Sequence, residues 1–407
     1  MSVRDDADDD DAQAELPALV ASLRLYGDTL ESVVERVPAA DLAATACVSR
    51  EWLRAVRSAL RRRPRRPLLP WLLVHLHGRR CRRRTCAYDP HSGAWLTVEA
   101  PRQPATSSPP PYVRVVHGAH GDRACALTAS SLDVAGDPLG TSAPVSLSPP
   151  GAWRADPVLA AVGDRLVALG GACQLLAAPE DTGVEVHEGG SWAACGPMPA
   201  ELRESAAATW LSVAATEQRV YVADRTTGWA SWFDPSKRRW GSTRRLRPDA
   251  GVSTWGIAPG RAGAGLVLFG AKRCRGDEAN ATTAKSEVIV QTWEVDGDAL
   301  DLSPSGAMAM PTEMSGRLFP REDDDDDEVL VSIGVCGNAV GGYVYNAAAP
   351  ANGAVFYEMQ EGSGVVERWE WVPSAPLLPA EPLGRAVVAC SPVAVDMLSR
   401  RLPLVGP

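Results

Sequence analysis

The chain has 407 residues, of which 45 % are hydrophobic and 22 % are charged, a balance typical of soluble globular proteins. This length favours two or three domains. The net charge of −9 argues against a protein that coats nucleic acid. No apolar stretch approaches the roughly 20 residues needed to span a bilayer, so no membrane association is expected.

The cysteine content and the N-terminal residues bear on the compartment. Nine cysteines are scattered without a C-x-x-C pair, and an odd number does not suit a disulfide framework. Cysteines used as small buried hydrophobes are typical of a reducing compartment. The N-terminus is acidic, unlike a signal or transit peptide. We therefore expect a cytoplasmic or nuclear protein, or one present in both compartments.

Helical patterns follow an acidic, alanine-rich segment, residues 1–21, that we expect to be disordered. In residues 22–62 the apolar positions of a first helix recur at helical spacing: Leu30, Val33, Val34 and Val37. Two further short helices are expected before residue 62. Three such helices cannot bury all their apolar faces alone. The pattern leaves two interpretations open, a cap on the next domain or a module that binds a partner's helices.

The order of residues in this module resembles an F-box. Residues 27–38 are similar to its first half, and residues 41–52, which end in Val48-Ser49-Arg50-Glu51-Trp52, are similar to its second half. F-boxes dock on the small adaptor that links them to a cullin scaffold. The resemblance implies adaptor contacts from six residues: Leu30, Val34, Val37, Pro38, Leu42 and Val48. We expect Trp52 to pack in the module's own core.

From about residue 68 the helical period is replaced by short apolar strands between Gly, Asp, Pro and Arg. One apolar segment recurs at residues 72–74, 124–127, 166–169, 220–222, 266–269 and 329–331. A second segment follows each copy, led by Tyr88, Leu132, Val186, Phe233, Trp293 and Phe356. Four short strands per ~50 residues, repeated in series, predict a mainly β fold. We predict a β-propeller of six blades over residues 68–398.

Two copies of the second segment match closely, and each ends in a tryptophan expected to fill the gap between blades. They are Tyr88-Asp89-Pro90 with Trp95, and Phe233-Asp234-Pro235 with Trp240. The first copy lacks an innermost strand, because the chain arrives there from the helical module. We predict that a spare strand near residues 385–391 completes the first blade, since closure removes two exposed sheet edges. Residues 399–407 then form a tail.

The repeats resemble kelch repeats. Leu169-Gly170-Gly171 carries the double glycine after an apolar strand, with Trp192 and Pro199 downstream. An F-box followed by degenerate kelch repeats is an architecture of plant proteins, and the family includes receptors that mark enzymes of phenylpropanoid and flavonoid synthesis for degradation. The resemblance implies a six-bladed kelch-type propeller preceded by a three-helix F-box module. It also implies a non-catalytic, substrate-recognition subunit of an SCF-type ubiquitin ligase, whose partners are the adaptor, the cullin and a client protein.

The loops between the second and third strands of the blades should open on one face of the ring, and many of them are basic. Clustered arginine beside aromatic side chains is typical of protein-binding hot spots, so this face is expected to bind a client with an acidic surface. A solvated rim of charge is the alternative. The candidate client-binding residues are Arg79, Arg80, Arg225, Trp229, Lys272, Arg273, Arg275 and Tyr343. The acidic run 322–328 is expected on the opposite face.

The sequence contains no G-x-S-x-G, no H-E-x-x-H and no phosphate-binding glycine loop. His75 and His77 would share one face of a strand, but nothing in the spacing indicates further metal ligands. We therefore expect no catalytic residue, no metal and no cofactor. Two other functions stay open: a kelch scaffold without a ligase role, and a metal- or glycan-processing propeller enzyme. Co-purification with the adaptor separates the two binding functions, whereas bound metal or turnover would favour the enzyme.

Overall fold

The computed structural model describes residues 27–37, 41–62, 69–77, 83–99, 113–171, 183–261, 265–274, 287–303, 307–320, 331–361, 365–376 and 385–393. These residues fall into two compact units. One contains the helices within residues 27–62, and the other lies within Pro67–Ala394. Among the described helices, none combines the length and the apolar character that crossing a membrane requires.

The first unit is a module of three helices, Gly27–Arg36, Leu42–Ala46 and Arg50–Arg62. Ser49 caps the third helix, because its hydroxyl accepts a hydrogen bond from the N–H of Trp52 at 3.3 Å. The apolar faces of the helices meet in a small core, with Trp52 partly buried against it. Its buried residues are Leu30, Val34, Leu42, Ala55, Val56 and Ala59.

The second unit consists mainly of short strands. The first half of the chain contributes β1 (Trp71–His77), β2 (Arg83–Asp89), β3 (Ala94–Glu99), β4 (Val113–Gly118), β5 (Arg123–Leu127), β6 (Leu132–Val134), β7 (Val145–Leu147), β8 (Val158–Val162), β9 (Arg165–Leu169), β10 (Gly183–Glu188) and β11 (Ser191–Pro197). The second half contributes β12 (Leu211–Ala215), β13 (Val220–Asp224), β14 (Trp229–Asp234), β15 (Arg239–Trp240), β16 (Arg244–Arg245), β17 (Val252–Pro259), β18 (Leu266–Cys274), β19 (Glu287–Val295), β20 (Met308–Ala309), β21 (Ile333–Gly337), β22 (Gly341–Asn346), β23 (Ala354–Met359), β24 (Val366–Val372) and β25 (Arg385–Ser391). Short helical segments lie at Ala200–Arg203, Thr312–Leu318 and Pro350–Asn352.

Antiparallel pairing groups these strands into meanders of four. Their spatial orders are β25-β1-β2-β3, β4-β5-β6-β7, β8-β9-β10-β11, β12-β13-β14-β15, β17-β18-β19-β20 and β21-β22-β23-β24. The second and third meanders form one sheet, because their first strands β4 and β8 pair in parallel. β16 adds to the fourth meander by pairing with β14. The third strands carry the residues that lead the second recurring segment: Tyr88, Leu132, Val186, Phe233, Trp293 and Phe356.

The first strands of the meanders lie side by side in a closed series. β25 contacts β4, and the contacts continue through β8, β12, β17 and β21 back to β25. β25 also pairs with β1 along its whole length, from Trp71↔Ser391 to His77↔Arg385. The chain therefore folds into a mainly β domain whose curled sheets surround an axis in the manner of a β-propeller.

The last meander differs from the sequence prediction. Residues 329–331 are predicted to form its second strand, but that strand is β22, and β21 precedes it. Residues 329 and 330 lie outside the described residues, and Val331 precedes β21 without strand structure. Glycines weaken the apolar signal of β21 and β22. They are needed because a Cβ at Gly334 would lie 2.3 Å from the ring of Tyr345.

The strand ends define two faces of this domain. Each first strand begins, and each second strand ends, at the same end of the domain. We call this end the upper face and the opposite end the lower face. The upper face carries the connections 148–157, 198–210, 225–228 and 246–251. Because Trp71 pairs with Ser391, the chain enters β1 and leaves β25 at the lower face.

The acidic run 322–328 itself lies outside the described residues. The described residues on either side of it lie at the upper face, whereas the sequence predicted the run at the lower face. The carbonyl of Leu318, before the run, accepts hydrogen bonds from the side chains of Asn346 at 3.2 Å and Asn352 at 3.0 Å. After the run, the carbonyl of Ser332 accepts the N–H of Ala347 at 2.8 Å. The prediction placed the run before a second strand, whereas it precedes the first strand β21, which begins at the upper face.

The ring is held closed by polar contacts as well as by strand pairing. The N–H of Asp122 donates to the carbonyl of Cys390 at 2.7 Å, and its carboxylate accepts the Cys390 N–H at 3.1 Å. Beside them, Gly121 (φ +153°) packs so closely on β25 that a Cβ would lie 2.4 Å from Ser391 Oγ and 2.7 Å from its Cα. The turn between β4 and β5 therefore requires glycine.

Gly121→Ala is expected to separate this turn from β25 and to destabilise the domain by about 1–3 kcal/mol. Thermal unfolding of the full chain, followed by circular dichroism, should show a melting temperature lower by several degrees. Gly196→Ala is the control, because a Cβ there meets nothing within 4 Å. Equal melting temperatures for the two variants would contradict this account of ring closure.

Candidate protein-binding site

The tryptophans of the two matching repeats are structural. Tyr88 and Trp95 have ring centroids 5.4 Å apart, and Phe233 and Trp240 have the same separation. The indole N–H of Trp95 donates to the carbonyl of Pro373, in the neighbouring meander, at 3.2 Å. These contacts use both tryptophans in packing within the β domain, as predicted for them.

The structure divides the predicted adaptor-binding residues by exposure. Three of them, Leu30, Val34 and Leu42, are buried in the core of the helical module. Val37 is partly buried against that core, and Pro38 lies outside the described residues. Val48 is 65 % exposed, and the neighbouring Val33 is 36 % exposed. Among the described residues of the module, Val48 and Val33 are the large apolar side chains that are exposed, and adaptor contact by the six predicted residues stays a prediction.

For four of the predicted client-binding residues, the structure describes no exposed side chain. Arg79, Arg80 and Arg275 lie outside the described residues. Tyr343 was assigned to a loop but lies within β22, where it is fully buried and its hydroxyl donates to the carbonyl of Pro70 at 2.7 Å. Burial raises the pKa of this hydroxyl. Tyr343 therefore joins two meanders and is removed from the candidate face.

Arg225 lies at the upper face but is engaged inside the domain. Its half-buried guanidinium donates to the carbonyls of Leu211 at 3.2 Å and Ile333 at 2.5 Å, which links β12 to β21. Burial lowers the pKa of Arg225. Trp229, at the start of β14, is partly buried against the adjoining core. Both residues therefore contribute mainly to packing beneath the upper face and little to its exposed surface.

Lys272 and Arg273 lie in β18 instead of in a loop. The Nζ of Lys272 is 2.7 Å from Asp249 Oδ2, and this hydrogen bond raises the pKa of Lys272. Arg273 is half-buried. Part of the predicted positive charge is therefore neutralised within the face.

Two exposed tryptophans at the upper face are absent from the sequence predictions. Trp153 is 51 % exposed in the connection 148–157, and Trp210 is 55 % exposed in the connection 198–210. Every other tryptophan is buried or partly buried. Their exposure could have been inferred from their position in the sequence. Both tryptophans lie outside the recurring strand segments, and packing between meanders does not require a large side chain there.

A buried ion pair fixes the backbone on both sides of Trp153. Arg154 is only 1 % exposed, and its Nε and Nη2 donate to Glu185 Oε2 at 3.2 and 3.0 Å. Its Nη1 donates to the carbonyl of Gly170 at 2.6 Å. Glu185 also accepts the N–H of Gly151 at 2.8 Å. Buried pairs add little net stability but are costly to break, so this pair mainly determines where the loop lies.

Asp156 joins the two tryptophan-bearing connections. Its Oδ2 accepts hydrogen bonds from the N–H and the hydroxyl of Thr209 at 2.9 and 2.7 Å. Its Oδ1 is 2.8 Å from Arg114 Nη1. Burial acts to raise the pKa of Asp156, but the hydrogen bonds from Thr209 and the charge of Arg114 outweigh it and hold the pKa below its usual range. The carbonyl of Trp210 accepts the N–H of Arg225 at 3.1 Å.

The double glycine lets a third segment pass between these connections. Gly170 and Gly171 both have φ +64°. A Cβ on Gly170 would lie 2.1 Å from the carbonyl oxygen of Ala206, and one on Gly171 would lie 2.5 Å from the backbone of Asp156. The carbonyl of Gly171 accepts the N–H of Ala155 at 2.7 Å. The kelch-like glycines therefore serve the close packing of the loops that present the tryptophans.

Exposed arginines continue this surface onto the fourth meander. Arg244 and Arg245 are exposed on β16. The Nε of Arg245 donates to the carbonyl of Thr227 at 3.0 Å, in the turn that also binds Trp210. We call Trp153, Trp210, Arg244 and Arg245 the tryptophan–arginine surface.

A comparison with known proteins complements this geometry. No family model matches the chain. An F-box/kelch-repeat protein of Arabidopsis thaliana is 31 % identical over 379 residues, which cover 90 % of this chain and 89 % of the relative. Among solved structures, hydrazine synthase of Kuenenia stuttgartiensis is 11 % identical with a TM-score of 0.38. The alignment covers 77 % of this chain and 93 % of the hydrazine synthase chain. Apo AztD from Citrobacter koseri is 10 % identical with a TM-score of 0.31, and the alignment covers 80 % of this chain and 100 % of the AztD chain.

The fold defines the class first: a mainly β, propeller-like domain with a separate helical module. The identity over 90 % of the chain then shows the family. This chain belongs to the F-box/kelch-repeat proteins of plants.

Glu185→Ala is expected to leave Arg154 as an uncompensated buried charge and to destabilise the domain by about 3–5 kcal/mol. Glu188→Ala, on the same strand, removes an ion pair with Arg165 at the surface and should have little effect. Urea unfolding of the full chain, followed by tryptophan fluorescence, measures both. Similar midpoints for the two variants would show that the buried pair does not hold this loop.

Asp156→Asn should make stability less dependent on pH. Because the folded-state pKa of Asp156 is below its unfolded value of about 3.9, its stabilising effect is complete above that value and is lost as pH falls through the folded pKa. The gap in melting temperature between wild type and variant should therefore be largest near pH 7 and shrink below about pH 4. The exposed Asp164→Asn serves as control. A gap independent of pH would contradict this role of the carboxylate.

Proposed function

We propose that this protein is the substrate-recognition subunit of an SCF-type cullin-RING ubiquitin ligase. The observation that carries the proposal is the 31 % identity to an F-box/kelch-repeat protein over 90 % of the chain. In this proposal residues 22–62 are the F-box. Residues 68–398 are a kelch propeller of six blades, each blade being one four-stranded meander.

The helical module would bind the small adaptor, and through it the cullin. The exposed Val48 and Val33 are the apolar side chains it offers, while the buried Leu30, Val34 and Leu42 hold the helices in position. Partly exposed apolar side chains on a small helical module are the usual means of binding a partner's helices. The adaptor interface is therefore expected to centre on Val48.

The propeller would hold a client protein at its upper face. The protein itself would perform no covalent chemistry. Its contribution is proximity, because a bound client is held near the ubiquitin-charged enzyme and the effective concentration of its lysines rises. The client would then be degraded by the proteasome. Enzymes of phenylpropanoid and flavonoid synthesis are the first clients to test, and the cytoplasm and nucleus are the proposed compartments.

The double variant Val33→Glu with Val48→Glu should abolish co-purification of the full chain with the adaptor, because two carboxylates cannot be buried in an apolar interface. Arg54→Glu, an exposed polar position on the third helix, is the control and should retain the adaptor. Helical content by circular dichroism checks that the module stays folded. An adaptor bound equally well by wild type and double variant would refute the proposed docking face.

A further inference from the structure

The backbone at both exposed tryptophans is held by hydrogen bonds to other segments of the domain. Trp153 follows the anchored N–H of Gly151 and precedes the buried Arg154. Trp210 follows Thr209, which is bound to Asp156, and its own carbonyl is bound by Arg225. A loop whose backbone is fixed in advance loses little conformational entropy when a partner covers it. Tryptophan is enriched among the residues that contribute most to binding at protein interfaces.

The arginine side of the surface is arranged to receive carboxylates. The Nε of exposed Arg245 donates to the carbonyl of Thr227, and the guanidinium carries four further N–H donors in the planar arrangement that suits a carboxylate. Besides Arg244 and Arg245 on β16, the adjoining connections carry the exposed Arg203 and Arg247, and the exposed acids in the connection of Trp210 are Glu201 and Glu204. Arginine is therefore in excess over the described acids here, although the whole chain carries a net charge of −9.

The contacts join these groups into a continuous line. Asp156 connects the loop of Trp153 to the loop of Trp210. The N–H of Arg225 binds the carbonyl of Trp210, and Thr227 in the same turn binds Arg245. An extended segment lying along this line would meet aromatic faces at one end and guanidinium groups at the other.

Single-stranded RNA is the competing occupant, because its bases stack on tryptophan and its phosphates bind arginine. One observation favours a polypeptide. Glu201 and Glu204 lie in the same connection as Trp210 and would repel a continuous phosphate backbone, whereas a polypeptide can carry its carboxylates only where it meets the arginines.

We infer that the tryptophan–arginine surface binds an extended, acidic segment of the client. Apolar side chains of that segment stack on Trp153 and Trp210, and its carboxylates pair with Arg244 and Arg245. This inference rests on the proposed function, in which the propeller carries a client, and adds the surface and the chemistry of what it recognises.

Selection of random dodecapeptides displayed on phage, with the immobilised full-length chain as target, tests this inference. Wild type should enrich peptides that combine Asp or Glu with Leu, Phe or Trp. The variant Arg244→Glu with Arg245→Glu should reverse the preference toward Lys and Arg. The variant Trp153→Ala with Trp210→Ala should bind the best wild-type peptide about tenfold more weakly or worse. Because all four side chains are exposed, melting temperatures should stay at the wild-type value.

Matched controls are Arg239→Glu, an exposed arginine on β15, and Val145→Ala, which is 56 % exposed; both should select the same peptides as wild type. The inference is overturned if the charge-reversed variant keeps the acidic preference, or if no class of peptide is enriched. It is also overturned if a 12-nucleotide RNA binds the wild type and the tryptophan variant loses that binding.

Adaptor co-purification, measured on the same proteins, separates this inference from the proposed function. Peptide selection as expected, without adaptor binding by wild type, would defeat the ligase proposal and leave the surface assignment standing. Adaptor binding without acidic enrichment would defeat the surface assignment alone.

Discussion

The pairing of β25 with β1 is the interaction on which the rest of the β domain depends. It joins the two ends of the domain, from Trp71↔Ser391 to His77↔Arg385, and so converts a row of meanders into a ring. Closing a loop of this length is opposed by chain entropy, and long-range strand pairing is slow to form. The contacts of Asp122 with Cys390 and of Tyr343 with Pro70 stabilise the closed form. That closure brings the last meander beside the first and completes the series of first strands.

Polar contacts, more than apolar packing, determine the shape of the upper face. Arg154 with Glu185 holds one loop, Asp156 joins it to the next, and Arg225 connects two first strands. Arg154 is removed from water, Asp156 and Arg225 are partly buried, and each has several hydrogen-bond partners, an arrangement that specifies geometry at little gain in stability. A face of this kind suits a binding surface, because its loops are held in position before a partner arrives.

Predictions from the sequence were correct where a local pattern of residues determines the fold. They were less reliable for the residues of the candidate protein-binding site. Tyr88 with Trp95 and Phe233 with Trp240 repeat in sequence and have equal ring separations in the structure. Tyr343 was placed in a loop because glycines around it hide the apolar alternation of β21 and β22. Lys272 was counted as a free cation, although Asp249, distant in sequence, pairs with it. Exposure and pairing are properties of the folded chain, and composition alone does not report them.

The class of the fold could be read from the order of amino acids: an amphipathic helical module is followed by short apolar strands in a recurring order, with one spare strand at the end. Those features are local, because hydrophobic period and turn residues act within a few positions of each other. Which side chains face water at the upper face follows from the folded arrangement of the loops. That arrangement depends on contacts such as Thr209 with Asp156 and Arg154 with Glu185, which join residues 53 and 31 positions apart in the chain and form only when the strands of the meanders have paired.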